Sequence, residues 1–242
     1  MPATMNADEF LKRLEALRSS KVAEAHRHLA SDSDDIILGV RMGQVFALAK
    51  EFMDMPLDEV EKLLESLVHE ARVGAVSIMD FQARSKKTTE AHRKELFDLY
   101  IKRHDRINTW DLVDRSAPYV VGGYLFDKPR KVLYKLARSK KMPERRTAIL
   151  STGYFIRQGD VEDTFKIAEM LLNDQADLIH KATGWMLRAA GDVERQRLVK
   201  FLEKHAADLP RITIRYATEH FDKKQRDQYL GRTKKQTSTE RE

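Results

Sequence analysis

Apolar residues along this chain recur every three or four positions, and nowhere do they alternate with polar ones for more than a few residues. That period belongs to α-helices with one buried face, whereas a half-buried strand needs a period of two. Phe10, Leu11, Leu14 and Leu17 form the first such stripe, and Leu57, Val60, Leu63, Leu64 and Leu67 form a stronger one behind Pro56. Proline is tolerated at such a helix start because the first turn leaves its N–H groups unbonded anyway. The spacing predicts further helices over 21–29, 71–85, 89–103, 109–115, 117–126, 129–139, 144–157, 161–172, 175–190, 193–205, 210–217 and 221–230. Ten glycines and six prolines in 242 residues are too few for the turns of an all-β or α/β chain, so the expected fold class is all-α.

The helices also repeat. Arg72-Val-Gly-Ala75-Val76, Arg145-Arg146-Thr-Ala148-Ile149 and Lys181-Ala-Thr-Gly184-Trp185 each place a small residue three positions after a basic one, followed by a bulky apolar residue. Their starts lie 73 and 36 positions apart, so the first gap is close to twice the second, with its midpoint near Asn108. Helix pairs at that period read as a HEAT-like α-solenoid, in which each pair buries its apolar face only against its neighbours. The expectation is a curved array with a concave basic groove, one repeat domain over 1–230 and a polar, disordered tail over 231–242. In such an array, equivalent positions of successive repeats meet across the concavity. Trp110, Asp114, Arg146 and Trp185 occupy such positions.

Other classes are excluded. No apolar run reaches the roughly 18 residues that a membrane span needs, and the N-terminus lacks a secretory h-region, so a cytoplasmic location without membrane contact is expected. With no cysteine, the chain has no thiolate nucleophile, disulfide or Cys-ligated metal. Its eight histidines show no His-Glu-x-x-His spacing, and the Asp-rich stretch Ser31 to Asp35 lacks the glycine and distal glutamate of a calcium loop. No metal or cofactor is expected.

Charge is concentrated. From Lys128 through Arg146 nine basic residues face Glu144 alone, a local net of +8 against +6 for the whole chain. A tract of that kind suits a phosphate backbone, although most charge runs are simply solvated helix faces. Just upstream, Trp110 and Asp114 stand four positions apart, hence side by side on a helix. Each residue also has a plainer reading. Tryptophans are usually core. Asp114 could cap a helix that Ser116 and Pro118 end near Arg115, and Asp111 suits the dipole of a first helical turn. Arg145 or Arg146 could brace a neighbouring helix.

Taken in order, Trp110-Asp-Leu-Val-Asp114, Arg146-Thr-Ala-Ile-Leu150 and Lys181-Ala-Thr-Gly-Trp185-Met-Leu-Arg188 resemble the AlkD-type DNA alkylation repair glycosylases of the HEAT-like repeat superfamily. The similarity in order and spacing extends from about residue 8 to about 220. The resemblance implies a monofunctional glycosylase that releases cationic alkylpurines such as N3-methyladenine and N7-methylguanine from duplex DNA, without base flipping, leaving an abasic site. It implies Asp114 as the catalytic carboxylate, Trp110 and Trp185 against the deoxyribose and backbone, and Arg146 on a phosphate. Lys181 and Arg188, beside Trp185, are candidate phosphate contacts, as are Arg145 and, in an N-terminal turn, Arg41. One lesion on one face implies a monomer acting at the bacterial-type nucleoid. A noncatalytic relative that binds unusual DNA structures is the alternative, and such relatives lack parts of the tryptophan, aspartate and arginine set kept here.

Overall fold

The computed structural model of the chain describes residues 5–26 and 35–232. Apart from an isolated parallel bridge between Ile36 and Val68, its regular elements are helical. In chain order they are α1 (Ala7–Glu15), α2 (Ser20–His26), α3 (Met42–Glu51), α4 (Leu57–Glu65), α5 (His69–Arg84), α6 (Glu90–Lys102), α7 (Trp110–Ser116), a π-helical segment (Ala117–Gly122) and α8 (Gly123–Leu125). They continue with α9 (Lys131–Ala137), α10 (Met142–Arg157), α11 (Glu162–Met170), α12 (Asp177–Val193), α13 (Arg195–His205), α14 (Arg211–Ala217) and α15 (Lys223–Arg232). Two compact units divide the chain, Met1–Pro129 and Arg130–Glu242.

The first unit is organised around α5. Its Val73, Ala75, Val76, Ile78 and Met79 are buried, and α1, α3, α4 and α7 all pack on it. Gly74 lets the Phe10 ring of α1 lie directly on the helix, since a Cβ there would stand 2.3 Å from Cζ of that ring. Unusually for a core helix, α5 also buries His69, Glu70, Arg72, Asp80 and Gln82, and each has a partner. Arg72 pairs with Asp35 at 2.7 Å, and the Gln82 amide donates to the carbonyls of Met53 and Met55. The Glu70 carboxylate accepts the backbone N–H groups of Leu38, Gly39 and Val40, fixing the approach to α3. Such pairing is what makes buried charge tolerable.

In the second unit α10 packs against α9, α11 and α12, and α12 packs in turn against α13 and α14. The long buried helices α10 and α12, of 16 and 17 residues, each follow a shorter helix with one apolar stripe, the arrangement of a paired-helix repeat. Ala75, Ala148 and Gly184, the small residues of the sequence repeat, are all buried at helix contacts. At Gly184 the approach is close, because a Cβ there would lie 2.6 Å from the Thr213 carbonyl oxygen of α14. Gly159, at φ +84°, ends α10 in the left-handed conformation that glycine adopts without strain.

Several boundaries differ from the sequence expectation; α12, for one, runs to Val193, three residues past its predicted end. Helix α3 was not predicted, although Val45, Leu48 and Ala49 form its buried stripe. Pro118 does not end the helix that begins at Trp110. The chain widens into a π-helix there, with the Gly123 N–H donating to the Pro118 carbonyl five residues back, so 110–125 is one continuous helical rod. The wider turn absorbs a residue that has no N–H to give and whose ring would crowd the carbonyl four positions earlier. Helix α15 also runs to Arg232, two residues past its predicted end. The remainder of the tail, residues 233–242, and most of the Asp-rich stretch, 31–34, lie outside the described residues, as does the end of the helix expected over 21–29.

Candidate functional site

In the first unit the candidate residues stand on α7. Trp110 is its first residue and is 38% exposed, and Asp114, one turn on, is half-buried. Between them Leu112 and Val113 point into the core, with Ser116 behind, where its hydroxyl donates to the Leu112 carbonyl at 2.8 Å. The helix is pinned to α5 at both ends. At the start, Nε2 of His69 lies 2.8 Å from Oδ2 of Asp111. At the end, Arg115 donates from Nε to the Ser77 hydroxyl at 3.0 Å and pairs with Asp80 at 3.0 Å, its guanidinium lying over the rings of Phe46 and Phe81. Burial pushes the Asp111 carboxyl up, but the hydrogen bond and charge of His69 outweigh it and hold the group below its ordinary range. Asp111 therefore occupies the first turn as expected from its sequence position, and does more there than complement the dipole.

Arg41 stands exposed at the boundary of α3, immediately after the stretch 38–40 that Glu70 holds. Gly39, at φ +81°, makes that stretch possible, since a Cβ there would meet the Ser19 carbonyl oxygen at 2.1 Å.

In the second unit Lys181, Trp185 and Arg188 form one stripe along α12, at spacings of four and three. Lys181 and Trp185 are exposed, Trp185 by 39%, and Arg188 is half-buried with an ion pair to Glu219. Both tryptophans of the chain thus lie at the surface and neither is core. The arginines of α10 are placed differently. Arg145 reaches Asp174 through Nε and through Nη2, the latter at 3.0 Å, while its Nη1 donates to the carbonyls of Ser139 and Lys140. Arg146 is 5% exposed and donates to the Leu178 carbonyl of α12. Both brace neighbouring structure.

Internal pairing therefore engages at least four of the nine cations of the +8 tract. Lys128 pairs with Glu90 and Asp127, and Arg130 pairs with Asp160 and Asp163 over the Phe155 ring. Lys131, Lys135, Arg138, Lys140 and Lys141 are exposed. Sequence reasoning did not single out His69, Glu70, Asp80 or Asp174. Nothing in their local patterns marks them, because each acquires its role from a partner at least 29 residues away in the chain.

Chemically, the first unit offers a surface indole beside a fixed carboxylate, and the second an indole between two cations. A carboxylate beside an indole face can stabilise positive charge that develops next to it. Among the described residues no helix is long and apolar enough to cross a membrane.

Comparison with known proteins gives a consistent picture. The family model of the DNA alkylation repair enzyme family matches residues 10–221. No curated protein matches the chain. Among solved structures, the fold is similar to that of a "Predicted DNA alkylation repair enzyme from Enterococcus faecalis", with a TM-score of 0.65 at 14% identity, covering 85% of this chain and 97% of that one.

Proposed function

Since the chain belongs to the DNA alkylation repair enzyme family, we propose that it is a monofunctional DNA glycosylase acting on cationic alkylpurines, of the N3-methyladenine and N7-methylguanine type, in duplex DNA. The observation that carries this reading is Trp110: an indole left 38% exposed at the start of a helix, one turn before a half-buried carboxylate. An indole more often lies in the core, and one left at the surface beside a carboxylate supports the reading of a binding surface.

The substrate class fits the residue types. Alkylation at N3 or N7 gives the base a formal positive charge, so the base leaves without needing a strong general acid. As the bond between C1′ and the base nitrogen breaks, its electron pair goes to the base and positive charge develops on the sugar. Asp114 stabilises that charge and orients the water that adds to C1′ and yields its proton to solvent. The indole of Trp110, beside Asp114, presents a face of negative potential to the sugar, an attraction on the order of 0.5 to 2 kcal/mol, and the exposed indole of Trp185 packs on the DNA backbone. Lys181 and Arg41 contact backbone phosphates, which fixes register without reading sequence, and Arg188 joins them by exchanging Glu219 for a phosphate. Arg146 contributes by holding the first turn of α12 through Leu178, and Arg145 by holding the loop at Asp174. This assignment departs from the phosphate contact expected for both from sequence. No base pocket is invoked, and the protein acts as a monomer on an unflipped lesion.

The test is release of base from methylated duplex DNA by the wild-type protein and by Asp114→Asn. Release of N7-methylguanine or N3-methyladenine by the wild type and not by the variant supports the reading. Duplex binding without any release by the wild type would leave a noncatalytic DNA-binding protein instead.

A further inference from the structure

We propose that His69 and Asp111 form a positioning pair that fixes the first turn of α7, and with it the directions of Trp110 and Asp114. The consequence for rate rests on the glycosylase reading, while the geometry stands without it.

Helix α7 has little of its own to hold its start. It contains seven residues before the π-helical segment, and the side chain at its N-cap, Thr109, makes no capping hydrogen bond. This start is the free end of the 110–125 rod, where the first N–H groups have no partner within the helix, so the direction of the first turn depends on what it is tied to. The ties come from α5. Asp111 receives Nε2 of His69 at 2.8 Å, and His69 is itself fully buried and anchored by its backbone N–H to the Ile36 carbonyl at 2.9 Å. One turn later Arg115 takes Ser77 and Asp80.

The register of these ties matters. Asp111 and Arg115 are four apart and share one stripe of α7, rotated by about 100° from the stripe of Trp110 and Asp114. Holding the first stripe against α5 leaves the second turned away from it, with Trp110 in solvent. The tie at Asp111 is the one adjacent to Trp110, and it adds a directional polar bond to α5 beside the packing of Leu112 and Val113.

The pair is also poorly designed for stability alone. Nδ1 of His69 is buried with no hydrogen-bond partner among the described residues. A leucine at that site would avoid the unsatisfied nitrogen, so the imidazole is better explained by the single bond it makes to Asp111 than by packing. Fixing a side chain in the orientation that its chemistry needs is what a rigid second residue behind it contributes.

Three variants and two readouts test this. His69→Leu removes the donor at similar volume, His69→Gln keeps a side-chain N–H, and Asp111→Asn keeps an acceptor without its charge. The first readout is time-resolved fluorescence anisotropy in a Trp185→Phe background, where Trp110 is the sole tryptophan of the chain. The second is single-turnover base release from methylated duplex with Trp185 intact.

His69→Leu is expected to enlarge the fast component of Trp110 motion and to slow release about tenfold or more. Its DNA affinity should stay within about twofold, since small misplacements of reacting groups act on rate rather than binding. Its Tm should fall, because Asp111 loses its partner, so release is compared per folded protein at a temperature well below that Tm. His69→Gln should recover most of the rate and the anisotropy. If His69→Leu leaves both readouts unchanged, or slows release only in proportion to lost folded protein, the pair does not position the helix. Should His69→Leu fail to fold, His69→Gln and Asp111→Asn decide, because normal anisotropy and normal rate in Asp111→Asn overturn the proposal equally. Absence of release by the wild type removes the glycosylase reading, and the anisotropy arm alone then decides on the pair.

Discussion

At the scale of single residues, Trp110 and Asp114 share a helical face but should not share the energetic load. A carboxylate that offsets charge developing in the transition state acts on the chemical step, where loss of one preorganised electrostatic contact typically costs about 10²- to 10³-fold in rate. Asp114→Asn is therefore expected to lower single-turnover release by at least about a hundredfold, with duplex affinity unchanged or slightly raised. Trp110→Ala should lose only about threefold to thirtyfold, the equivalent of one cation–π contact, and rate measurements across both variants check the order. Asp111, the other acid of this helix, should show itself in stability. Its carboxyl is buried, yet His69 holds it below the ordinary value of 3.8. The folded state thus favours the charged form, and that contribution is complete above the unfolded pKa and fades as pH falls through the lower folded one. Urea unfolding of wild type and Asp111→Asn should give a gap that is present at about pH 5 and closes as the pH falls further. A gap that widens in acid would contradict the assignment.

At the scale of elements, periodicity was enough to locate most helices, because each buries a stripe that the sequence displays directly. It failed where the determinant was not a stripe. Pro118 looks like a stop signal, and only packing of Val120 and Val121 into the core shows why the rod continues through a π-helical turn. Helix α3 opens on Met42, Gly43 and Gln44, which offer no capping side chain, so its short buried stripe went unread. The candidate site was legible in the same uneven way. The two indoles and Lys181 are where their helical spacing puts them, whereas Arg145 and Arg146 are claimed by Asp174 and the Leu178 carbonyl, partners no local pattern reveals. Small residues in the buried helices make a sharper test of packing. Gly184→Ala would place a Cβ 2.6 Å from both the Thr213 carbonyl oxygen and Cβ of Tyr216. Alanine's gain of about 1 kcal/mol in helix propensity is then outweighed by an overpacking cost of about 1 to 3 kcal/mol, so a net loss of stability is expected. Gly153→Ala meets only the flexible Met186 sulfur, at 3.4 Å, and should stabilise by about 0.5 to 1 kcal/mol. Chemical denaturation of the two variants separates these signs.

At the scale of the whole molecule, the question is which cations remain available to DNA once internal pairing is counted. The net charge of +6 and the local excess of +8 overstate the supply. Lys128, Arg130 and Arg145 are committed to carboxylates, and Arg146 is buried. Counterion release counts only cations that neutralise phosphates, each contributing about 0.9 to the slope of log K against log salt for duplex DNA. Lys181 is exposed beside Trp185 and its replacement by alanine should flatten that slope by about one unit, weakening binding alike on damaged and undamaged duplex. Arg145→Ala should leave the slope unaltered, because its charge is already matched by Asp174. Its penalty falls on folding instead: Asp174 is only 4% exposed, and stranding it without its partner should destabilise by about 3 to 5 kcal/mol. Binding titrations of a labelled duplex across salt, paired with urea melts, give the two quantities for each variant. A reduced slope in Arg145→Ala with undiminished stability would show that this arginine leaves Asp174 for the DNA, and would return it to the phosphate-contacting set that its place in the sequence first suggested.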